Sequence, residues 1–171
     1  CMMPTFISDY GIKGIWLACF HSISAFCNAG FDIFGTVNNK FISLVNYVSN
    51  PVINIVIISL IVVGGIGFLT WEDICKHKLD FMKYRLQTKL ILITTLILIV
   101  VPAIFFFYID FSDLSGSNRI LASLFQSVTL RTAGFNTVDL TQMSEASKML
   151  MIMLMLIGGC PGSTAGGMKT T

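Results

Sequence analysis

The sequence predicts an all-α membrane protein that crosses the bilayer more than once, and three observations predict it. Of its 171 residues, 54% are apolar and only 12% are charged, against roughly 25% charged in a soluble domain. Two uncharged runs of 20 residues or more are long enough to cross a hydrocarbon core. The whole excess of basic over acidic residues sits in one connection between those runs, the rest of the chain holding as many acidic residues as basic ones. Together with a mean hydropathy of +0.80, these features exclude an ordinary water-soluble domain. A net charge of +2 is too small for a nucleic-acid surface.

The chain opens on Cys1, carries no signal peptide before its first apolar stretch, and stops in GGMKTT within a patterned segment, so it reads as an internal fragment. Its five cysteines (Cys1, Cys19, Cys27, Cys75 and Cys160) are odd in number and lack CxxC spacing. They imply neither a disulfide framework nor a zinc site, and read as buried or lipid-facing thiols.

In chain order, Ile12 to Phe31 is too apolar for open water and too short, as a helix, to span. Pro51 to Trp71 is an uncharged run of 21 residues, about 31 Å as a helix, and is expected to span. Leu90 to Ile109 is a second run of 20, whose Pro102 is tolerable in a membrane helix. Arg119 to Phe135 is another partial span. Met149 to Met168 is again 20 residues without charge, but only MLMIMLMLI is conventionally apolar before GGCPGSTAGG begins. It has the length of a span and the composition of a broken one. The connection 72–89 holds Lys76, Lys78, Lys83, Arg85 and Lys89, whereas 110–118 holds Asp110 and Asp113 and no basic residue. The first is therefore expected to be cytoplasmic and the second external. The two partial spans then enter from outside.

Those partial spans repeat one another. FHSISAFCNAGFD matches FQSVTLRTAGFN, with Phe20, Ser22, Ile23 and Ser24 opposite Phe125, Ser127, Val128 and Thr129, and Ala29, Gly30 and Phe31 opposite Ala133, Gly134 and Phe135. Each copy leads through a polar stretch into a span that ends in glycines, GGIGF or GGCPG. Backbone that leaves a helix at membrane depth is tolerated only where protein covers it or it lines a watery path. Gly30 and Gly134 permit positive φ, and carbonyls turned toward one axis can replace a cation's hydration shell. Asp32 and Asn136, next in each copy, are residue types that also tolerate left-handed backbone. The two phenylalanines are expected to pack behind the tips as a cuff.

SAFCNAGF, SVTLRTAGF and GGCPGSTAGGMKTT resemble the Trk/Ktr/HKT superfamily of potassium transporters, most closely the bacterial Ktr/Trk membrane subunit. The resemblance covers nearly the whole chain and implies a fold of four channel-like units, each made of outer helix, pore loop and inner helix. Here it implies that 12–71 is the pore loop and inner helix of the second unit, 72–89 a cytoplasmic connection, and 90–171 most of the third unit. Asn28, Ala29, Gly30 and Phe31 would form one wall of a potassium filter, and Thr132, Ala133, Gly134 and Phe135 another. K+ would be held at filter carbonyls only, as cargo, with no cofactor in this chain. In the plant branch, serine at the filter glycine of the first loop goes with sodium transport; both loops here keep glycine, which favours potassium. Only one glycine per loop matches the channel signature TVGYG, so a sodium-conducting or poorly selective transporter is the alternative.

The resemblance also implies that the third inner helix is interrupted by a gate loop beneath the filter. Gly158, Gly159, Pro161, Gly162, Ser163, Thr164, Gly166 and Gly167 fit that role by composition, as against a small-residue packing surface. GGIGF reads as such a packing surface, because its apolar run continues through it. By the same resemblance the subunit pairs with a second copy in the plasma membrane and carries a cytoplasmic ring of nucleotide-binding regulatory domains.

Other residues are weighed on their chemistry. Arg131, a cation within a partial span, either tunes the filter electrostatically or braces its loop through carbonyl and carboxylate partners, and bracing is favoured. His21 has no second ligand at metal spacing and is expected to make a structural hydrogen bond. Met149, Met151, Met153 and Met155 recur at every second residue, which suits flexible packing better than copper transport. GSTAGGMKT misses the phosphate-binding GxxxxGK[ST] pattern, since Met168 stands where the lysine belongs. An intramembrane serine hydrolase built on Ser163 lacks a GxSxG elbow, and neither His21 nor His77 lies in a span that could supply its base.

Overall fold

A computed structural model describes residues 1–35, 42–78, 80–112, 114, 116–138 and 140–170. Asp113, one of the two acidic residues expected outside, lies beyond these residues. The described chain is helical and forms no strand: α1 (Met3–Tyr10), α2 (Lys13–Phe26), α3 (Pro51–Ile66), α4 (Phe68–His77), α5 (Leu86–Ile109), α6 (Gly116–Thr129) and α7 (Glu145–Leu156).

The two partial spans become α2 and α6, each of 14 residues. At 1.5 Å per residue such a helix reaches about 21 Å, short of the roughly 30 Å core. α2 packs on α1 and α3, and α6 packs on α5 and α3. Phe6, Ile53, Ile57, Phe125, Val128 and Phe135 meet in one buried cluster, so both copies of the repeat share a core built on α3.

α5 is the helix among the described residues that is long and apolar enough to cross a membrane unaided. Pro102 lies buried within it without breaking it. Proline cannot donate to the carbonyl four residues back, and the Ser127 hydroxyl of α6 reaches the carbonyls of Ile99 at 2.6 Å and Leu98 at 3.4 Å. The one hydroxyl hydrogen thus goes to Ile99, beside the carbonyl that the proline leaves open, with Leu98 as the longer alternative acceptor. At the far end of α5, Arg119 donates Nε to the Phe107 carbonyl at 2.8 Å and lies 4.1 Å over the Phe107 ring. Asp110 accepts the Ser144 amide at 2.9 Å and the Ser147 hydroxyl, which places a carboxylate at the N-terminus of α7.

The run Pro51 to Trp71 is not one straight helix. α3 starts firmly, with the Asn50 side chain accepting the Val52 and Ile53 amides and Pro51 in the first turn. It stops at Ile66, and α4 leaves at 95° after a single residue, Gly67, whose φ is 96°. GGIGF is therefore a corner, and its physical cause lies in the loop after α7, described below. Beyond the corner, Asp73 accepts the Arg85 amide at 2.9 Å and faces His77 at 3.2 Å, which ties α4 back to the start of α5. The Arg85 amide holds the Asp73 carboxyl below its ordinary value of 3.8. The stability this adds is present above that value and disappears as pH falls through the lower folded one.

Replacing Ser127 with Ala leaves the half-buried carbonyls of Ile99 and Leu98 without this donor. It is expected to destabilise the helix pair by about 1–3 kcal/mol, read as a lower thermal midpoint in detergent.

Candidate functional site

Both AGF segments have the same backbone. Asn28 and Gly30 take φ of 51° and 68°, and Thr132 and Gly134 take 68° and 87°, with an ordinary alanine between the members of each pair. Left-handed backbone at a β-branched threonine is a rare conformation that only its surroundings can maintain. Here the surroundings are the preceding helix. The Ser24 hydroxyl donates to the Phe31 carbonyl at 2.9 Å, and the Thr129 hydroxyl donates to the Phe135 carbonyl at 2.7 Å. The Ala29 amide returns to the Ser24 carbonyl, and the Gly134 amide to that of Thr129. Each short helix thus folds its own tip back with one hydroxyl and one carbonyl.

The expected left-handed residues after each triplet are corrected: Asp32 and Asn136 have negative φ, and the second left-handed position lies two residues before each glycine instead. The signal that could have located the ties was the match of Ser24 with Thr129, one hydroxyl in each copy.

The tips meet. A Cβ on Gly30 would collide with the Ala133 carbonyl, whereas one on Gly134 has open space around it. Leu44 donates its amide to the Asn136 carbonyl at 2.9 Å, and Asn136 donates its own to Ser43 Oγ at 3.1 Å, so the chain after the first tip holds the second. Only half of the phenylalanine cuff forms. Phe135 is fully buried, but Phe31 is 70% exposed. Phe34 occupies the inner position in its stead, its ring stacked 4.3 Å from that of His21. His21 makes the expected structural bond, Nδ1 to the Leu17 carbonyl at 2.7 Å.

Beneath the tips, α7 ends at Leu156 and residues 157–168 fold into a loop closed by the bridge between Ile157 and Met168. This loop seats itself in the corner of α3 and α4. The Thr164 amide donates to the Gly64 carbonyl at 3.2 Å, the Cys160 amide to that of Gly65 at 3.1 Å, and the Phe68 amide to that of Gly162 at 3.1 Å. The Trp71 indole takes the Val63 carbonyl at 2.9 Å. In a straight helix the Gly64 carbonyl would accept the Phe68 amide; here each finds its partner in the loop. The two broken spans complete one another, which is why GGIGF is a corner and not a continuous packing stripe. The approach of the loop needs bare backbone at Gly67, where a Cβ would lie 2.6 Å from the Pro161 oxygen. Gly64 keeps the close-packing role expected of GGIGF, since a Cβ there would strike the Phe26 carbonyl of α2.

Thr164 joins this loop to the first tip. Its hydroxyl accepts from Asn28 Nδ2 at 3.1 Å and lies 2.8 Å from the Phe26 carbonyl, with the Gly64 carbonyl at 3.1 Å as the alternative acceptor. Gly158 and Gly159 are held through their amides by the Met168 and Gly166 carbonyls, and Gly167 lies close to the Thr132 methyl, so the loop approaches both tips. Arg131 is buried beside Cys160, and its Nε and Nη2 find no hydrogen-bond partner among the described residues. It faces a small cavity shared with Asn28, Gly65 and Gly159. Ser163 Oγ is likewise without a partner among the described residues. Met151 packs inward and accepts from Gln126 Nε2 at 3.2 Å, while Met149, Met153 and Met155 face outward.

Short helices ending in paired left-handed tips, beside a bent helix pair that a broken span completes, give an all-α fold with the pore-loop-like breaks of a channel-type membrane protein. The model of the TrkH family, described as a cation transport protein, matches residues 3–171, and the chain belongs to that family. It is 40% identical to the potassium/sodium uptake protein NtpJ of Enterococcus hirae, over 97% of this chain and 37% of that protein. It is 38% identical to the Ktr system potassium uptake protein B of Vibrio alginolyticus, over 92% of this chain and 35% of that protein. The Bacillus subtilis protein of the same description is also 38% identical, over 96% of this chain and 37% of its own length. The chain thus spans little more than a third of these curated relatives, which are described as uptake proteins and not as enzymes.

Replacing Gly30 with Ala is expected to disrupt the paired tips far more than replacing Gly134 with Ala, where only the left-handed backbone resists, at about 1 kcal/mol. Thermal unfolding of the two variants in detergent checks the order. Removing the tip hydroxyls, Ser24→Ala and Thr129→Val, is expected to cost about 1 kcal/mol each, measured in the same way.

Proposed function

We propose that this chain forms part of the pore of a potassium uptake system, in which Asn28 to Phe31 and Thr132 to Phe135 supply two walls of a carbonyl filter. The observation that carries this reading is the duplicated tip: the same pair of left-handed residues and the same hydroxyl tie, twice, with the two tips in contact. Such backbone offers carbonyl oxygens in place of water around a dehydrated cation. The ion moves down its electrochemical gradient, with no chemistry beyond dehydration. In this reading the tips face outside and 72–89 faces the cytoplasm, in the cell membrane. A second copy and a cytoplasmic nucleotide-binding ring complete the assembly. Two relatives described as Ktr system proteins support membership of such a multi-part system.

Residues 158–167 are the gate in this proposal. Thr164 carries it, because the loop's hydroxyl is bonded to Asn28 of the first tip and to the Phe26 carbonyl below it. A loop docked there blocks the exit from the filter, and its release leaves the path open. Arg131 is a buried cation next to the same small cavity. Its Nε and Nη2 lack, among the described residues, the carbonyl and carboxylate partners that bracing the loop would use, so its role here is to raise the local barrier to a cation.

A poorly selective reading is favoured by one finding, that a 40% identical relative is described as a potassium/sodium uptake protein. Both readings are separated in the complete transporter reconstituted in proteoliposomes. Gly134→Ser is expected to lower the rubidium-to-sodium flux ratio, and an unchanged ratio would remove Gly134 from the filter. Deleting Gly159 to Gly166 is expected to raise basal flux several-fold; unchanged flux through a folded protein would make the loop a packing element.

A further inference from the structure

The corner at Gly67 turns α4 at 95° to α3. If α3 runs along the bilayer normal, as the proposed topology has it, α4 lies along the membrane surface. Its sequence suits that position. Phe68 and Leu69 are exposed at 60% and 55%, and in the turn beyond, Met82 and Leu86 are exposed at 84% and 74%. Lys76, Lys78, Lys83 and Arg85 are exposed beside them. Of the three acidic residues in 72–89, Asp73 is buried and committed to the Arg85 amide and His77, so only Glu72 and Asp80 face outward. Those two pair with Lys76 at 3.0 Å and Lys83 at 2.6 Å, and both pairs are more than half exposed or at half exposure. Exposed pairs of this kind are weak, and a phosphate can compete for the lysines. Exposed apolar side chains at the start of α4 and in the turn after it, with cations at the end of α4 and in that turn, are the features that seat a segment among anionic lipid headgroups.

The same helix is wired to the loop after α7. Its first amide, Phe68, is donated to Gly162, and the Val63, Gly64 and Gly65 carbonyls at the end of α3 are occupied by Trp71, Thr164 and Cys160. If the loop withdraws, those amides and carbonyls can re-form helical bonds across Gly67 only as the corner straightens. Straightening would lift α4 off the membrane surface. Anything that holds α4 flat therefore favours the docked loop.

We infer that α4 and the following turn, residues 68–78 and 80–89, bind anionic phospholipid headgroups through Lys76, Lys78, Lys83 and Arg85 and thereby stabilise the loop-docked, low-flux state. The inference rests on the topology and gate proposed above, and its test has a binding readout independent of flux. In the complete transporter, Cys75 on the exposed side of α4 is labelled with bimane after the other exposed cysteines are replaced with serine. Brominated phosphatidylglycerol should quench the label several-fold more than brominated phosphatidylcholine, and Lys76→Gln, Lys78→Gln, Lys83→Gln and Arg85→Gln combined should abolish that preference. Rubidium uptake should fall several-fold when phosphatidylglycerol is added to phosphatidylcholine vesicles, and the combined variant should not respond. Equal quenching by both lipids overturns the inference, as does a preference that survives the four substitutions. A label that neither lipid reaches until a protein partner is stripped away also overturns it, in favour of a protein-docking surface. Lipid preference without rubidium uptake in any vesicle would instead sink the transport reading and leave the lipid site standing.

Discussion

Backbone that stops being helical inside a bilayer must have its amides and carbonyls satisfied by protein, because lipid offers none. In this molecule that constraint is met by letting two interruptions answer each other. The end of α3 exposes the carbonyls of Val63, Gly64 and Gly65, and the loop after α7 supplies Thr164 and Cys160 to two of them while taking the Phe68 amide for Gly162. Neither break would be stable alone. Gly67 is what allows the loop backbone to approach so closely, since a Cβ there would meet the Pro161 oxygen, and Gly64 makes the matching room for the Phe26 carbonyl at the end of α2.

The tips obey the same constraint on a smaller scale. Asn28 and Thr132 sit in left-handed backbone that costs about 1 kcal/mol or more for a residue with a Cβ, and Ser24 and Thr129 offset that by holding the Phe31 and Phe135 carbonyls. Near its proline, α5 likewise takes a hydroxyl from α6, Ser127, whose short bond goes to the Ile99 carbonyl with that of Leu98 as the longer alternative. Hydroxyls on the short helices therefore do most of the local repair. The Thr164 hydroxyl stands between the two systems, bonded to the first tip and to the corner at once. A displacement of the loop would thus be felt both by the tip above it and by α4 beside it.

Much of this was legible in the residues. Two short helices leading into AGF, a proline-bearing span and a third span broken near its glycines all follow from apolar run lengths and the positions of glycine and proline, although α6 starts at Gly116, three residues before the expected partial span. The duplicated triplet pointed to paired tips, and belonging to the TrkH family agrees with it. Other features were not legible. Pro51 to Trp71 reads as one uninterrupted span because the residue that bends it, Gly67, does so only with Gly162 in place more than ninety positions later. Phe31 and Phe135 occupy equivalent places in the repeat, yet only Phe135 is buried, because Phe34 takes the site against His21.

By itself, then, the sequence determined the solvent, the helical class, the two-fold repetition and the family, because these depend on local run length, composition and spacing. Tertiary structure alone decided that the glycines of GGIGF form a corner, that Asn28 and Thr132 are the second left-handed residues of their tips, and that Thr164 is the joint between tip and loop. Each of those depends on which distant backbone group takes the hydrogen bond that a helix has given up. No local pattern specifies that partner; it is set by the packing of α3 between the two halves of the repeat.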